Sequence, residues 1–169
     1  MINRRNFVLA STFAVLAGCS QQQLVDTQTA SSLRVTEVSV STQVAREKTA
    51  VPKQQILDTV QAKSFSVLSS ASRAGSRPVR AHVDVVQFYI ANPGLGALIG
   101  STNSGINTEV SLIDIETGEP VGDKFTVNGG TQEVRPGLFG AAMIGAPEKE
   151  LDEITDSLAN SMKIAIFGE

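Results

Sequence analysis

Among 169 residues there is one cysteine, one histidine, one tyrosine and no tryptophan. A single cysteine excludes any disulfide within the chain, so a fold in an oxidising compartment would rest on its core alone. One histidine, one cysteine and no His-Glu-x-x-His leave too few ligands for the usual zinc sites. With aromatics at only 5%, an aromatic-lined groove for sugars or flat ligands is not expected. A basic excess is missing too: the formal net charge is −3, and nucleic-acid binding would call for clustered Lys and Arg. No segment beyond the leader holds 18 consecutive apolar residues, so no later membrane span is expected. There is no Gly-x-Ser-x-Gly elbow and no Gly-Lys-Ser/Thr phosphate loop. Gly94, Gly96 and Gly100 miss the dinucleotide spacing by one, because Ile99 stands where the third glycine belongs. No cofactor and no metal are expected.

What is present begins at the amino terminus. Arg4 and Arg5 precede an apolar run from Phe7 to Leu16, and Leu16-Ala17-Gly18-Cys19 follows. A run of ten residues is too short to cross about 30 Å of hydrocarbon, which takes about 20 helical residues. It has the size of a signal-peptide core, so residues 1–18 are set apart from the fold. The tetrapeptide resembles a bacterial lipobox, with cleavage between Gly18 and Cys19 and an acyl anchor of the palmitate type on the Cys19 thiol. Its resemblance to lipoproteins implies two or three acyl chains, enough for lasting attachment. Asn3-Arg4-Arg5-Asn6-Phe7-Val8 resembles a twin-arginine signal, yet any signal peptide carries a basic start, so both export routes stay open. Ser20, not aspartate, follows the cysteine. By the sorting rule of enteric bacteria this favours the outer membrane, with the domain facing the periplasm.

The mature chain, Cys19 to Glu169, has 151 residues, enough for one domain with a genuine core. Of the 14 basic side chains two lie in the leader, leaving 12 against 17 acidic ones and a net of −5. Residues 19–32 are polar and read as the lipidated cysteine and a flexible tether; residues 33–169 read as a single α/β domain. Leu33 to Thr42 is rich in β-branched residues and predicts a strand. Val51 to Phe65 predicts a helix, with Pro52 at its first position and Ile56, Val60 and Ser64 on one face, Leu57 beside it. Ser69 to Ser76 reads as a loop. From Arg77 to Ile90, Val79, Ala81, Val83 and Val85 alternate with polar residues, then the phase slips to Val86, Phe88 and Ile90. Such a slip exchanges the two faces, so it predicts a bulge or a strand end buried on both sides.

Thr108 to Ile115 and Lys124 to Asn128 predict a hairpin turned by Glu116-Thr117-Gly118-Glu119. The last element is a helix opened by Pro147, striped with Leu151, Ile154, Leu158, Met162 and Ala165, and closed by Gly168. The expected fold is α+β: a single mixed or antiparallel sheet of about four strands, with two helices packed on one face.

Two loops share an unusual pattern. Pro93-Gly94-Leu95 opens an apolar run ending Ile99-Gly100, and Pro136-Gly137-Leu138 opens another ending Ile144-Gly145. Loops meet water and are usually polar, so apolar loops suggest a buried contact. Leu95, Leu98, Ile99, Leu138, Phe139, Met143 and Ile144 are therefore candidates for docking a partner protein, a second copy or the membrane edge. The competing reading is that the loops pack on each other or on the sheet. His82 and Asp84 share one strand face and are the start of a metal or proton-transfer site, or else an ordinary polar pair. Ser101 and Ser104 read as loop residues. Glu148, Glu150, Asp152, Glu153 and Asp156 read as partners of the helix dipole and a solvated face.

The lipobox, the polar tether, the Val79–Ile90 strand and the Asp114-x-x-Thr117-Gly118 turn together resemble a group of uncharacterised alphaproteobacterial lipoproteins. The order of elements over residues 33–167 is also similar to the anticodon-binding-like domain of CsgG, LpoB and the TolB N-terminal domain. That resemblance implies a periplasmic adaptor that binds partners or assembles, without catalysis. Alternatives are a subunit of an envelope secretion or transport assembly, and a small envelope hydrolase or ligand-binding protein using His82 and Asp84.

Overall fold

The computed structural model describes residues 22–44, 51–93, 103–131, 140 and 142–168. They contain α1 (Thr27–Ser32), β1 (Leu33–Thr42), α2 (Lys53–Ala71), β2 (Arg77–Tyr89), β3 (Gly105–Asp114), β4 (Phe125–Gly130) and α3 (Pro147–Phe167). The strands form one mixed sheet in the order β1-β2-β3-β4. β1 runs parallel to β2, and the other neighbours are antiparallel. A parallel pair needs a crossover, which α2 supplies. Helices α2 and α3 pack on each other and on one face of the sheet, α2 over β1 and α3 over β4. This is the α+β arrangement that the sequence predicts.

Strand alternation builds the core. Val79, Ala81, Val83 and Val85 of β2 are fully buried, and Ile106, Val110 and Leu112 of β3 lie beside them. The helices close the core with Ile56, Val60 and Leu68 of α2 and the whole predicted stripe of α3, Leu151 to Ala165. Each buried Val, Leu, Ile or Met side chain among them contributes about 1.5–3 kcal/mol by leaving water. The phase slip in β2 is a bulge: the register with β3 shifts between Val85 and Gln87, leaving Val86 exposed while Phe88 packs against the core and Ile90 is buried. A second bulge lies in β1, between Val35 and Glu37.

Three boundaries differ from expectation. Helix α2 runs on to Ala71 through residues read as loop, because Leu68 completes its apolar stripe. Ser72 ends it, its hydroxyl donating to the Leu68 carbonyl at 2.8 Å and accepting from the Val35 N–H at 2.9 Å. Pro52 is the N-cap, not the first helical residue. Residues 22–32, read as part of a tether, are folded in large part. Asp26 caps α1 by accepting from the Thr29 N–H at 2.9 Å, and Ala30 is buried. Leu24 N–H donates to the Ala165 carbonyl at 2.7 Å, tying this segment to the end of α3.

Helix α3 lies on β4 so closely that a Cβ on Gly129 would stand 2.3 Å from the Ile154 carbonyl oxygen and 2.7 Å from the Leu158 Cβ. Both obstacles belong to a helix that cannot yield locally. Gly129→Ala is expected to destabilise the fold by about 2 kcal/mol or more, since overpacking a tight contact costs about 1–3 kcal/mol. Gly105, where the nearest atom would be 3.6 Å away, provides the control: Gly105→Ala should be near neutral. Denaturant unfolding of the two variants checks this.

Candidate functional site

The outer face of the sheet is polar, and no described helix covers it. Its centre is a four-residue cluster on β1 and β2. Ser39 Oγ lies 2.9 Å from His82 Nδ1, and Ser41 Oγ lies 3.3 Å from His82 Nε2. Ser41 Oγ donates to Asp84 Oδ1 at 2.9 Å. That donation uses the only Ser41 hydroxyl hydrogen, so neutral His82 carries its proton on Nε2 and accepts from Ser39 at Nδ1. The carboxylate thus holds a serine and does not touch the imidazole, unlike a Ser-His-Asp relay, where the acid orients the histidine and the histidine activates the serine. Ion pairs flank the cluster: Arg80 with Glu37 at 2.7 Å, and Lys124 with Glu109. Among the described residues there is no group of three or more His, Cys, Asp or Glu placed to hold a metal.

A different cluster lies at one end of the sheet. Tyr89 pairs with Gly105, and Gly105 with Gly130, so β2 ends, β3 begins and β4 ends side by side. The N-terminus of α3 reaches the same place through Glu150. Its side chain is not solvated as the sequence suggests, since Glu150 is only 1% exposed. Oε2 accepts from the Ser104 hydroxyl at 2.8 Å, and Oε1 from the Gly145 N–H at 3.0 Å. Ser104 Oγ accepts in turn from the Ala91 N–H at 2.8 Å, and Ser104 exchanges hydrogen bonds with Thr131. One carboxylate and one serine therefore join the segments at both Pro-Gly-Leu loops. Ser104 and Glu150 are the residues that sequence reasoning placed in an ordinary loop and on a wet face.

Of the docking candidates, Leu95, Leu98, Ile99, Leu138 and Phe139 lie outside the described residues, as do Gly18 and Cys19. Met143 is 55% exposed. Its neighbour Ile144 is 8% exposed and packs with Ala91 and Tyr89 in a small apolar cluster separate from the main core. The Tyr89 hydroxyl is buried there with no hydrogen-bond partner among the described residues.

The Asp114-x-x-Thr117-Gly118 motif sits at the opposite end of the sheet and is a turn clamp. Asp114 Oδ1 accepts from the N–H groups of Glu116 at 2.8 Å and Thr117 at 3.0 Å, while Oδ2 accepts from Arg77 Nε at 2.6 Å. Gly118 closes the turn at φ +73°, a left-handed conformation that suits glycine. The Arg77 guanidinium first, and then the Thr117 N–H, hold the Asp114 carboxyl below its ordinary range. The two helices are joined by Lys63, which meets Asp152 and Asp156 at 2.7 Å each. Those bonds, Asp152 first, raise its pKa. No described helix is long and apolar enough to cross a membrane.

No family model matches the chain, and no curated protein matches it. Solved structures similar to it include a candidate lipoprotein from Caulobacter crescentus, 14% identical, with a TM-score of 0.39 over 81% of this chain and 89% of that one. Another is a PelC dodecamer from Paraburkholderia phytofirmans, 13% identical, with a TM-score of 0.39 over 84% and 92% of the two chains. A third is the DUF330 protein XCC0632 from Xanthomonas campestris, 15% identical, with a TM-score of 0.34 over 87% and 89%. At such TM-scores these likenesses transfer no function to this chain.

Two outcomes follow from the site geometry. Glu150→Ala leaves the Ser104 hydroxyl and the Gly145 N–H without this buried acceptor, which should cost about 1–3 kcal/mol in denaturant unfolding. His82→Ala, on the open face, should cost about 0.5 kcal/mol or less. Asp114 sets an acid dependence. Its folded pKa lies below the unfolded value of about 3.9, so its stabilisation is complete above that value and is lost as pH falls through the folded pKa. The difference in melting temperature between the native chain and Asp114→Asn should therefore be constant from pH 7 to about 5 and shrink below about pH 4.

Proposed function

We propose that this chain is a lipid-anchored envelope module, facing the periplasm from the outer membrane, that binds a protein partner or a second copy of itself and performs no catalysis. The observation that carries this reading is Leu16-Ala17-Gly18-Cys19 behind a basic, ten-residue apolar leader. The anchor is Cys19, and the docking residues are those of the two apolar loops: Leu95, Leu98, Ile99, Leu138, Phe139, Met143 and Ile144. Support for docking comes from Met143, a large apolar side chain left in water at the base of one loop. Against a hydrolase speak the open setting of His82 and the contact of Asp84 with Ser41 instead of the imidazole. A role as a subunit of an envelope secretion or transport assembly is one form of the same docking reading.

The test is made in intact cells. A photoreactive residue at Leu98 or Phe139, beside a Cys19→Ala control, is expected to crosslink to one envelope protein or to a second copy, and to lose that crosslink in the control. Incorporation of a labelled palmitate analogue should vanish in Cys19→Ala. Crosslinks confined to the chain itself would mean that the loops are core, and retained label in the control would refute the anchor.

A further inference from the structure

Helix α3 has 21 residues and so extends about 31 Å, and both ends of the molecule are fastened to it. At its C-terminus the chain entering from the amino-terminal side is held by three bonds. Leu24 and Val25 N–H donate to the Ala165 carbonyl at 2.7 and 3.3 Å, and Gln23 Nε2 donates to the Ile166 carbonyl at 3.1 Å. At its N-terminus Glu150 gathers Ser104, Gly145 and, through Ser104, Ala91. The segment that leads back to Cys19 and the roots of both Pro-Gly-Leu loops therefore lie at opposite poles.

We propose that the domain stands end-on to the bilayer, with the Gln23–Val25 pole against the lipid, and presents the Ala91–Ile144 pole to an apolar protein surface about 30 Å out, not to the membrane. This rests on the reading that Cys19 carries the anchor. Four residue steps separate Cys19 from Gln23, at most about 14 Å of chain, less than half the length of α3. The domain cannot turn its loop pole down on so short a leash without breaking the three bonds. Lying flat would bring only single apolar side chains to the lipid, Val86 of β2 or Phe65 of α2, in sides that carry ion pairs. One side carries the Arg80–Glu37 and Lys124–Glu109 pairs, and the helical side carries Lys63 with Asp152 and Asp156. The large apolar side chains exposed near the anchored pole are Leu24 and Ile115, the latter in the Asp114 turn. At the far pole, Met143 is exposed beside the Tyr89, Ala91 and Ile144 cluster, whose buried tyrosine hydroxyl lacks a partner among the described residues. A surface with an exposed methionine over a small apolar cluster suits an apolar protein contact.

The experiment uses the full lipidated chain purified from membranes and inserted into phosphatidylcholine and phosphatidylglycerol vesicles that carry a headgroup quencher. Because Cys19 is acylated, Ile115→Cys and Met143→Cys each provide a single free thiol for a fluorophore. The expected result is strong quenching at 115 and at least fivefold weaker quenching at 143. Equal quenching at both positions, or none at either while the protein floats with the vesicles, would overturn the end-on posture but leave the anchor standing. Failure to float would overturn the anchor, and the posture with it. In cells, a photoreactive residue at Met143 should capture protein, and capture of lipid there would overturn the proposal.

Discussion

The fold depends on the absence of a side chain at Gly129. Only there can α3 come down until its own backbone touches β4, with the Ile154 carbonyl and Leu158 filling the space that any Cβ would take. That approach buries Leu151, Ile154, Leu158 and Met162 against the strands, and it carries Glu150 down to the same depth. A carboxylate in such a position is tolerated only with donors, and Ser104 and Gly145 are among those it has. The glycine in a strand thus fixes where an acid on a helix must lie, and the acid fixes where two loops begin.

The outer face of the sheet obeys a different rule. Its side chains meet water, so they need no core complement and instead satisfy one another across strands. The parallel register sets Ser39 opposite His82 and Ser41 opposite Asp84. Antiparallel pairing sets Glu109 opposite Asp84, two like charges, and Lys124 from the approach to β4 lies against that acidic pair. Exposed ion pairs of this kind stabilise little.

The parts of the fold that repeat were legible in the sequence. The strand Arg77–Tyr89 with its phase slip at Val86 and the whole stripe of α3 follow from periodicity, because burial imposes it, and the strand Leu33–Thr42 from its β-branched residues. Legibility failed where composition overrode pattern. The predicted helix stops at Phe65 and the predicted loop begins at Ser69, although Leu68 continues the Ile56, Val60 and Ser64 face, and the polar residues 27–32 read as tether although one buried alanine suffices for a single docked turn. Glu150 was hidden by its charge. It precedes Ile154 and Leu158 at intervals of four and so shares the buried face; spacing, not residue type, was the signal. The spacing of Val35 and Val38 likewise encodes the first bulge, since three is one more than a regular strand allows.

The contact at Ser104 could not be read from sequence, because it joins residues 46 positions apart through a loop whose path periodicity does not set. Yet the separation of the two poles does not depend on that path. It is set by the rise of a single helix held at both ends by hydrogen bonds to described residues, and a helix neither stretches nor folds back. Whatever conformations the Pro-Gly-Leu segments adopt, they start at the Glu150 end, and whatever lies before Gln23 starts at the Ala165 end. Because residues 23–32 are folded onto the domain, the chain before Gln23 leaves from one fixed pole.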